Sequence, residues 1–259
     1  KMVVADNLKD STFWISYPFF LNYSSFTLGT LLFGYSMQIF ADFAGYSLIA
    51  IGLACLFGYK LPANFNYPYI SQSFAEFWRR WHISLSTWLR EYLYLPLGGN
   101  RKGNVRTYFN LFTVMFLGGL WHGAGWSYAV WGTFHGLALA LERLGTGRVK
   151  LPQNPLISVI RALFVFSFVT LAWLLFKLPN FTEVIAYLKA MAENRATTNP
   201  ELVAHVFFYS APVIAYYAWY LAKRRWAGVS RFEFLVFGIL LAAIILDSGT
   251  TGAFIYFQF

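Results

Sequence analysis

The chain has 259 residues, of which 58% are hydrophobic, 21% aromatic and only 12% charged. A soluble protein of this length needs more charged surface than that. The formal net charge of +9 sits in the gaps between apolar runs, which is the pattern of membrane topology and argues against a nucleic-acid-binding face.

Long apolar runs recur at Leu111–Leu120, Leu163–Phe176, Phe207–Leu221 and Phe234–Leu246. The expected fold is all-α, a polytopic transmembrane helical protein. The short alternating segments of a membrane β-barrel are absent from the sequence. The single cysteine, Cys55, excludes an internal disulfide and a multi-cysteine metal site. Its apolar surroundings read as those of a buried, inert thiol. The chain starts at Lys1 with neither an initiator methionine nor a signal-peptide pattern. It reads as the C-terminal portion of a longer protein, with residues 1–259 forming one membrane domain.

Residues 12–24 are apolar but short and are interrupted by Pro18, so a partial or re-entrant segment is expected. The apolar stretch from Phe26 to Tyr59 contains Asp42. It exceeds the roughly 20 residues that a span needs, so two elements broken near Gly45, or one tilted helix, are expected. Residues 60–70, KLPANFNYPYI, read as loop.

Ser73 and Glu76 form a capping-box pattern that starts a helix. Phe74, Phe77, Trp78, Trp81, Leu85, Trp88, Leu89 and Tyr92 follow at helical spacing, interleaved with Glu76, Arg79, Arg80, Arg90 and Glu91. The spacing predicts one amphipathic, tryptophan-rich helix over 71–96, lying in or dipping into the interface. Pro96 and Gly98-Gly99 end it. Glu76 with Arg79 and Arg80 has the spacing of a local ion pair.

Further helices are expected near 107–121, 126–141, 156–176, 202–221 and 232–247. The loops around 97–106, 142–161 and 222–231 hold eleven basic residues, against three in the alternate gaps. The positive-inside rule places those loops in the cytoplasm, and puts 177–200 and the C-terminus outside.

The segment LGGLWHGAGW puts His122 in an apolar, glycine-rich run. Fifteen residues, 107–121, rise only about 22 Å, short of a ~30 Å hydrocarbon core. A helical hairpin with the imidazole near its tip, within the membrane thickness, is therefore expected. Two readings stay open at this point: a polar contact between helices, or a general base. A neutral imidazole can accept a hydroxyl proton. His82 follows two arginines, whose charge favours the neutral ring; it is either base-like or a helix anchor. His135 reads as a helix-packing residue and His205 as structural. The spacing of His82, His122 and His135 matches no compact ligand motif, and no metal is expected. Asp42 could orient a histidine or pair with a cation. Asn100, Arg101, Lys102 and Arg106 could bind an anionic ligand at the cytoplasmic mouth, or simply set topology.

The run NFNYPYISQSFAEFWRRWHISLSTWLREYLYLPLGGNRKGNVRTYFNL, followed by GGLWHGAGWSYAVWGTFHG, resembles the membrane-bound O-acyltransferase (MBOAT) family. More narrowly, it is similar to the bacterial, alginate-type polysaccharide O-acetyltransferase branch. KMVVADNL, QIFADFAGYS and the closing FIYFQF are similar too, although Ala41 and Ala44 depart from the branch's usual acidic motif. The resemblance implies that His122, in LWHG beside Trp121, is the catalytic histidine. His82, in WRRWH with Arg79 and Arg80, would be a second functional histidine, with Asp42 as a supporting acid.

The resemblance also implies an enzyme that takes acetyl from cytoplasmic acetyl-CoA and passes it across the bacterial inner membrane. The acceptor would be an exported polysaccharide such as alginate. A periplasmic serine-hydrolase-like acetyltransferase and the polysaccharide export machinery would be its partners. Other cell-envelope glycans (peptidoglycan, cellulose, teichoic acid) are the alternative acceptors. A transporter using Asp42 and His122 as a proton relay, and a non-catalytic scaffold, are the rival classes.

Overall fold

The computed structural model describes residues 1–123, 125–146, 154–247 and 249. Arg148 and Lys150 of the expected basic loop, Ala124 of the hairpin tip and the closing FIYFQF lie outside the described residues. Ten α-helices and no strand occur among the described residues. They are α1 (Ala5–Thr12), α2 (Ser25–Leu56), α3 (Phe74–Arg80), α4 (Ile83–Leu89), α5 (Gly103–Trp121), α6 (Trp126–Thr146), α7 (Pro155–Lys177), α8 (Phe181–Glu193), α9 (Pro200–Arg225) and α10 (Glu233–Leu246). Four stretches are long and apolar enough to cross a membrane: α2, α7, α9 and Gly228–Leu246.

The described residues form two compact units. The first contains Lys1–Ile49 and the described residues from Ile185 onward. Here α1 packs on α9, and Gly34 of α2 brings the backbone close to Val206, where an added Cβ would lie 2.7 Å from Val206 Cγ1. Polar side chains fasten this unit. The Tyr187 hydroxyl donates to the Leu28 carbonyl at 2.8 Å. Thr12 donates to Gln38 at 2.6 Å, and Ser11 lies 2.7 Å from His205 Nδ1. His205 thus has the structural role expected of it.

The second unit, Ala50–Val184, contains the α5–α6 hairpin, α7, and the short helices α3 and α4. The hairpin is close-packed because glycines remove the side chains between its backbones. A Cβ on Gly119 would sit 2.2 Å from the Tyr128 carbonyl oxygen, and one on Gly132 would sit 2.2 Å from the Met115 carbonyl oxygen. Such small-residue contacts drive helix association where lipid provides no hydrophobic force between helices. The expected hairpin is therefore present.

The structure decides four expectations and corrects three of them. First, of the two readings of the Phe26–Tyr59 stretch, the single helix is the one found: α2 is unbroken over 32 residues through Gly45. Gly45 accommodates Lys1 rather than a break: a Cβ there would lie 3.0 Å from the Lys1 nitrogen. Second, the amphipathic stretch 71–96 is not one helix. It divides at Trp81-His82 into α3 and α4, followed by a π turn over Arg90–Tyr94. Third, Cys55 is exposed on the last turn of α2 rather than buried. Fourth, α5 begins at Gly103, so it has 19 residues and rises about 28 Å. Arg106 belongs to its first turns. Arg161 likewise lies inside α7, not in a loop.

Candidate active site

The helix α3 that leads into His82 has every early backbone donor satisfied. Ser73 caps it by accepting from the Glu76 amide at 3.0 Å. Glu76 does not close the box on Ser73; it accepts from the Gln72 amide at 2.8 Å and pairs with Arg80 at 2.7 Å. The two remaining donors, Phe74 N–H and Ala75 N–H, reach the Glu142 carboxylate on α6. From α7, Arg161 Nε donates to the Gln72 carbonyl at 3.1 Å.

At the helix break, Trp81 is extended and His82 is left-handed, with φ 43° and ψ 58°. A non-glycine residue adopts this conformation only where its surroundings impose it. The imposing segment is the 60–70 loop. The Asn64 carbonyl accepts from the Ile83 amide at 2.9 Å, and the Asn64 side chain accepts from the Ser84 amide at 3.2 Å. The Asn66 amide donates to the Arg80 carbonyl at 2.9 Å. These bonds close the backbone valences that the break opens. The result sends consecutive side chains in different directions. Trp81 is buried against Phe77, Phe65, Tyr69 and Trp173. His82 meets Trp121, with ring centroids 6.4 Å apart.

His122 caps the C-terminus of α5, its amide donating to the Gly119 carbonyl at 3.0 Å. Its ring lies edge-on to Trp121 at 5.0 Å, Trp131 at 5.4 Å and Phe176 at 5.0 Å. Trp121 is 59% exposed, so the indole shared by both imidazoles also faces open space. His82 and His122 are thus brought together on one aromatic wall, although they come from separate elements.

His82 lies in the break between two short helices, outside the spanning segments. Burial pushes its imidazole down to about 4. The cause is burial rather than the neighbouring arginines, because Arg79 is exposed and Arg80 is held by Glu76 and by the Asn66 carbonyl. The ring is a neutral proton acceptor at neutral pH.

His135 is fully buried among Trp78, Trp131, Phe77 and Phe168. It is a packing residue, as expected. Indoles separate the three histidines, and among the described residues no cluster of His, Cys, Asp and Glu could hold a metal ion. Asp42 belongs to the other unit, where it pairs with the Lys1 ammonium at 2.7 Å. Lys1 also reaches Asp6 at 3.3 Å.

Asn100, Arg101, Lys102 and Arg106 are exposed in and after a glycine-rich turn. Gly98, Gly99 and Gly103 carry positive φ values of 107°, 53° and 81°, a backbone that side chains resist. Asn110, buried on α5, holds this turn by donating to the Gly99 carbonyl at 2.9 Å and the Leu97 carbonyl at 3.3 Å. Sequence reasoning missed Asn110 and Glu142. A signal for Glu142 was available: Trp131, His135, Ala138 and Glu142 recur at i, i+4, i+7 and i+11, one face of a helix.

Helices that suit a membrane, a glycine-packed hairpin ending in histidine, and a second histidine on the same aromatic wall define a polytopic helical membrane protein with a two-histidine centre. The profile of the membrane-bound O-acyltransferase family, MBOAT, matches residues 3–182, and the chain belongs to that family. It is 53% identical over 154 residues to a probable alginate O-acetylase AlgI of Pseudomonas putida, covering 59% of this chain and 30% of that protein. It is 38% identical over 193 residues to the peptidoglycan O-acetyltransferase of Helicobacter pylori (69% and 37%). To the teichoic acid D-alanyltransferase of Bacillus subtilis it is 34% identical over 165 residues (58% and 41%). The matched part thus spans between 30% and 41% of the length of these three relatives.

Proposed function

We propose that this chain carries the histidine centre of an O-acetyltransferase that takes acetyl from cytoplasmic acetyl-CoA and delivers it outward for modification of an exported polysaccharide. The observation that carries the reading is the meeting of His82 and His122 on Trp121. The acceptor class follows the identity to the Pseudomonas putida relative, whose name specifies alginate. The relatives named for peptidoglycan and teichoic acid make another envelope glycan the second reading.

The reaction needs a base, a held thioester and a dry passage. His122 accepts the proton of the acceptor hydroxyl as its oxygen attacks the thioester carbonyl. The carbon–sulfur bond then breaks, and the CoA thiolate takes up a proton as it leaves. His82, neutral and fixed by its backbone, positions the acyl group or shares the base role. Trp121, Trp131 and Phe176 form an apolar wall that disfavours hydrolysis. Arg101, Lys102 and Arg106 are exposed cations, which suits the phosphates of CoA. Arg101 and Lys102 stand in no ion pair among the described residues. Arg79 and Arg80 take a supporting role beside His82, and Asp42 a supporting role within its own unit, where it pairs with Lys1.

In this reading the protein sits in the bacterial inner membrane with its basic loops cytoplasmic and its C-terminus periplasmic. It hands acetyl to a periplasmic serine-hydrolase-like partner working with the export machinery. The test is transfer from radiolabelled acetyl-CoA in membranes carrying the full-length protein at equal expression. His122→Ala should abolish transfer and His82→Ala should reduce it strongly. Full transfer in both variants would overturn the reading in favour of a transporter or scaffold.

A further inference from the structure

The α6 helix presents two adjacent stripes. Gly132 and Gly136 face α5. Trp131, His135 and Glu142 face α3: Trp131 contacts Trp78 at 5.7 Å, His135 contacts Trp78 at 5.1 Å, and Glu142 accepts from the Phe74 and Ala75 amides. Glu142 is the one acidic member of its stripe. It places a carboxylate on the first turn of α3, where unpaired N–H groups and the helix dipole favour negative charge.

We infer that Glu142 is a positioning residue for His82. Its carboxylate pins the start of α3 to α6, and α3 is only seven residues long, so a shift at Phe74 is carried into the break at Trp81-His82. The break has little freedom to absorb such a shift, because Asn64 and Asn66 hold its other side. Trp131 ties the same α6 stripe to His122 at 5.4 Å. One helix thereby sets both imidazoles: His122 through Trp131, and His82 through Glu142 and α3. The inference rests on the proposed transfer reaction for its catalytic consequence, but its geometric content stands apart.

The experiment has two arms. In the first, acetyl transfer is measured for Glu142→Gln and Glu142→Ala, alone and combined with His82→Ala. Glutamine keeps one carbonyl acceptor and alanine none. The expected result is a fall in kcat of about tenfold for Glu142→Gln and more for Glu142→Ala, with KM for acetyl-CoA unchanged. In the His82→Ala background, Glu142→Gln should cause no further fall. A purely structural Glu142 would instead give the same fractional loss in both backgrounds, and that result overturns the proposal.

The second arm needs no turnover. In a Cys55→Ser background, the thiol labelling rate of His82→Cys is compared with and without Glu142→Gln, with Val105→Cys as the exposed control. A several-fold change at position 82 and none at 105 supports the proposal. Equal rates at 82 overturn it. If the parent protein fails to transfer acetyl, the proposed function fails, and this arm alone decides the role of Glu142.

Discussion

His82 and His122 come from different elements, yet both pack against the indole of Trp121, at 6.4 Å and 5.0 Å. Neither histidine alone fixes that geometry; the indole is their common reference surface. Trp121→Ala should therefore damage catalysis more than stability, because it removes a half-exposed ring and frees both imidazoles. Misplacement of reacting groups by about 1 Å can cost on the order of 10²-fold. The expected loss in kcat is roughly 10- to 100-fold for Trp121→Ala. Trp121→Phe, which keeps an aromatic wall, should retain most of the activity. Equal activity in the alanine variant and the parent would sink the idea of a shared wall.

The hairpin makes a sharp stability prediction. Gly132→Ala puts a methyl 2.2 Å from the Met115 carbonyl oxygen, and Gly119→Ala does the same against Tyr128. The obstacle is backbone, which cannot rotate away. Each substitution should destabilise by about 1–3 kcal/mol through overpacking. Gly29→Ala has nothing within 4 Å of the new methyl, and should be neutral or stabilising by roughly 0.5–1 kcal/mol from helix propensity. Thermal unfolding in detergent at one fixed detergent concentration separates the two classes. A Gly132→Ala protein as stable as Gly29→Ala would refute the close-packed hairpin.

The hairpin was readable from the sequence because its cause is local. Two apolar helical periods flank Gly123-Ala124-Gly125, and no other connection fits so short a gap. The break at His82 was not readable, since WRRWHISLS keeps helical spacing on both sides. What divides α3 from α4 is a set of backbone bonds from Asn64 and Asn66, and these are tertiary. The same holds for α2. Gly45 costs about 1 kcal/mol relative to alanine in a helix, which left a break and a single helix both open; it is where Lys1 packs. Glu142 went unnoticed because an acid near a helix end reads as solvated until the facing helix is known.

Protonation gives a third prediction. The folded-state His82 imidazole lies at about 4, below the ordinary 6.5, because charging it under burial is unfavourable. Its sign follows from linkage. Above pH 6.5 both folded and unfolded forms are neutral, and the folded state bears no proton penalty. As pH falls below 6.5 the unfolded state takes up a proton and the folded state does not, so stability is lost progressively down to about pH 4. Histidine-selective NMR, assigned with His82→Gln, should show an unchanged His82 signal between pH 8 and 5.5. A transition centred near 6.5 would refute the buried neutral ring. His82→Gln should also unfold less readily than expected from the parent's acid sensitivity, because it deletes one proton-linked group.

The left-handed backbone at His82 separates two roles that alanine scanning would merge. His82→Gly keeps the φ 43° conformation available and loses only the ring. His82→Val loses the ring and also opposes the backbone, since a β-branched residue resists φ above zero. Both should lose transfer activity to a similar extent. Only the valine variant should also lose about 1–2 kcal/mol of stability. Equal unfolding midpoints would show that the break relaxes without strain.

Asn110 supplies the last prediction, and it concerns donor binding rather than chemistry. Its amide spans two carbonyls of the turn that precedes Asn100, Arg101 and Lys102, and the turn depends on three left-handed glycines. Asn110→Ala removes both bonds and leaves the two carbonyls to find other donors, at a cost of about 1–3 kcal/mol for buried groups. The loop loosens, and the exposed cations lose their fixed spacing. In the proposed reaction, recognition of the CoA phosphates would depend on that spacing, whereas proton transfer at His122 would not. The expected result is a KM for acetyl-CoA raised about 5- to 20-fold with kcat within twofold of the parent, and a shallower loss of binding as salt is added, because fewer charge contacts remain to be screened. Arg101→Ala should move KM in the same direction. If Asn110→Ala instead lowered kcat at unchanged KM, the 97–106 segment would be acting on the reacting centre, and the phosphates of CoA would have to bind elsewhere.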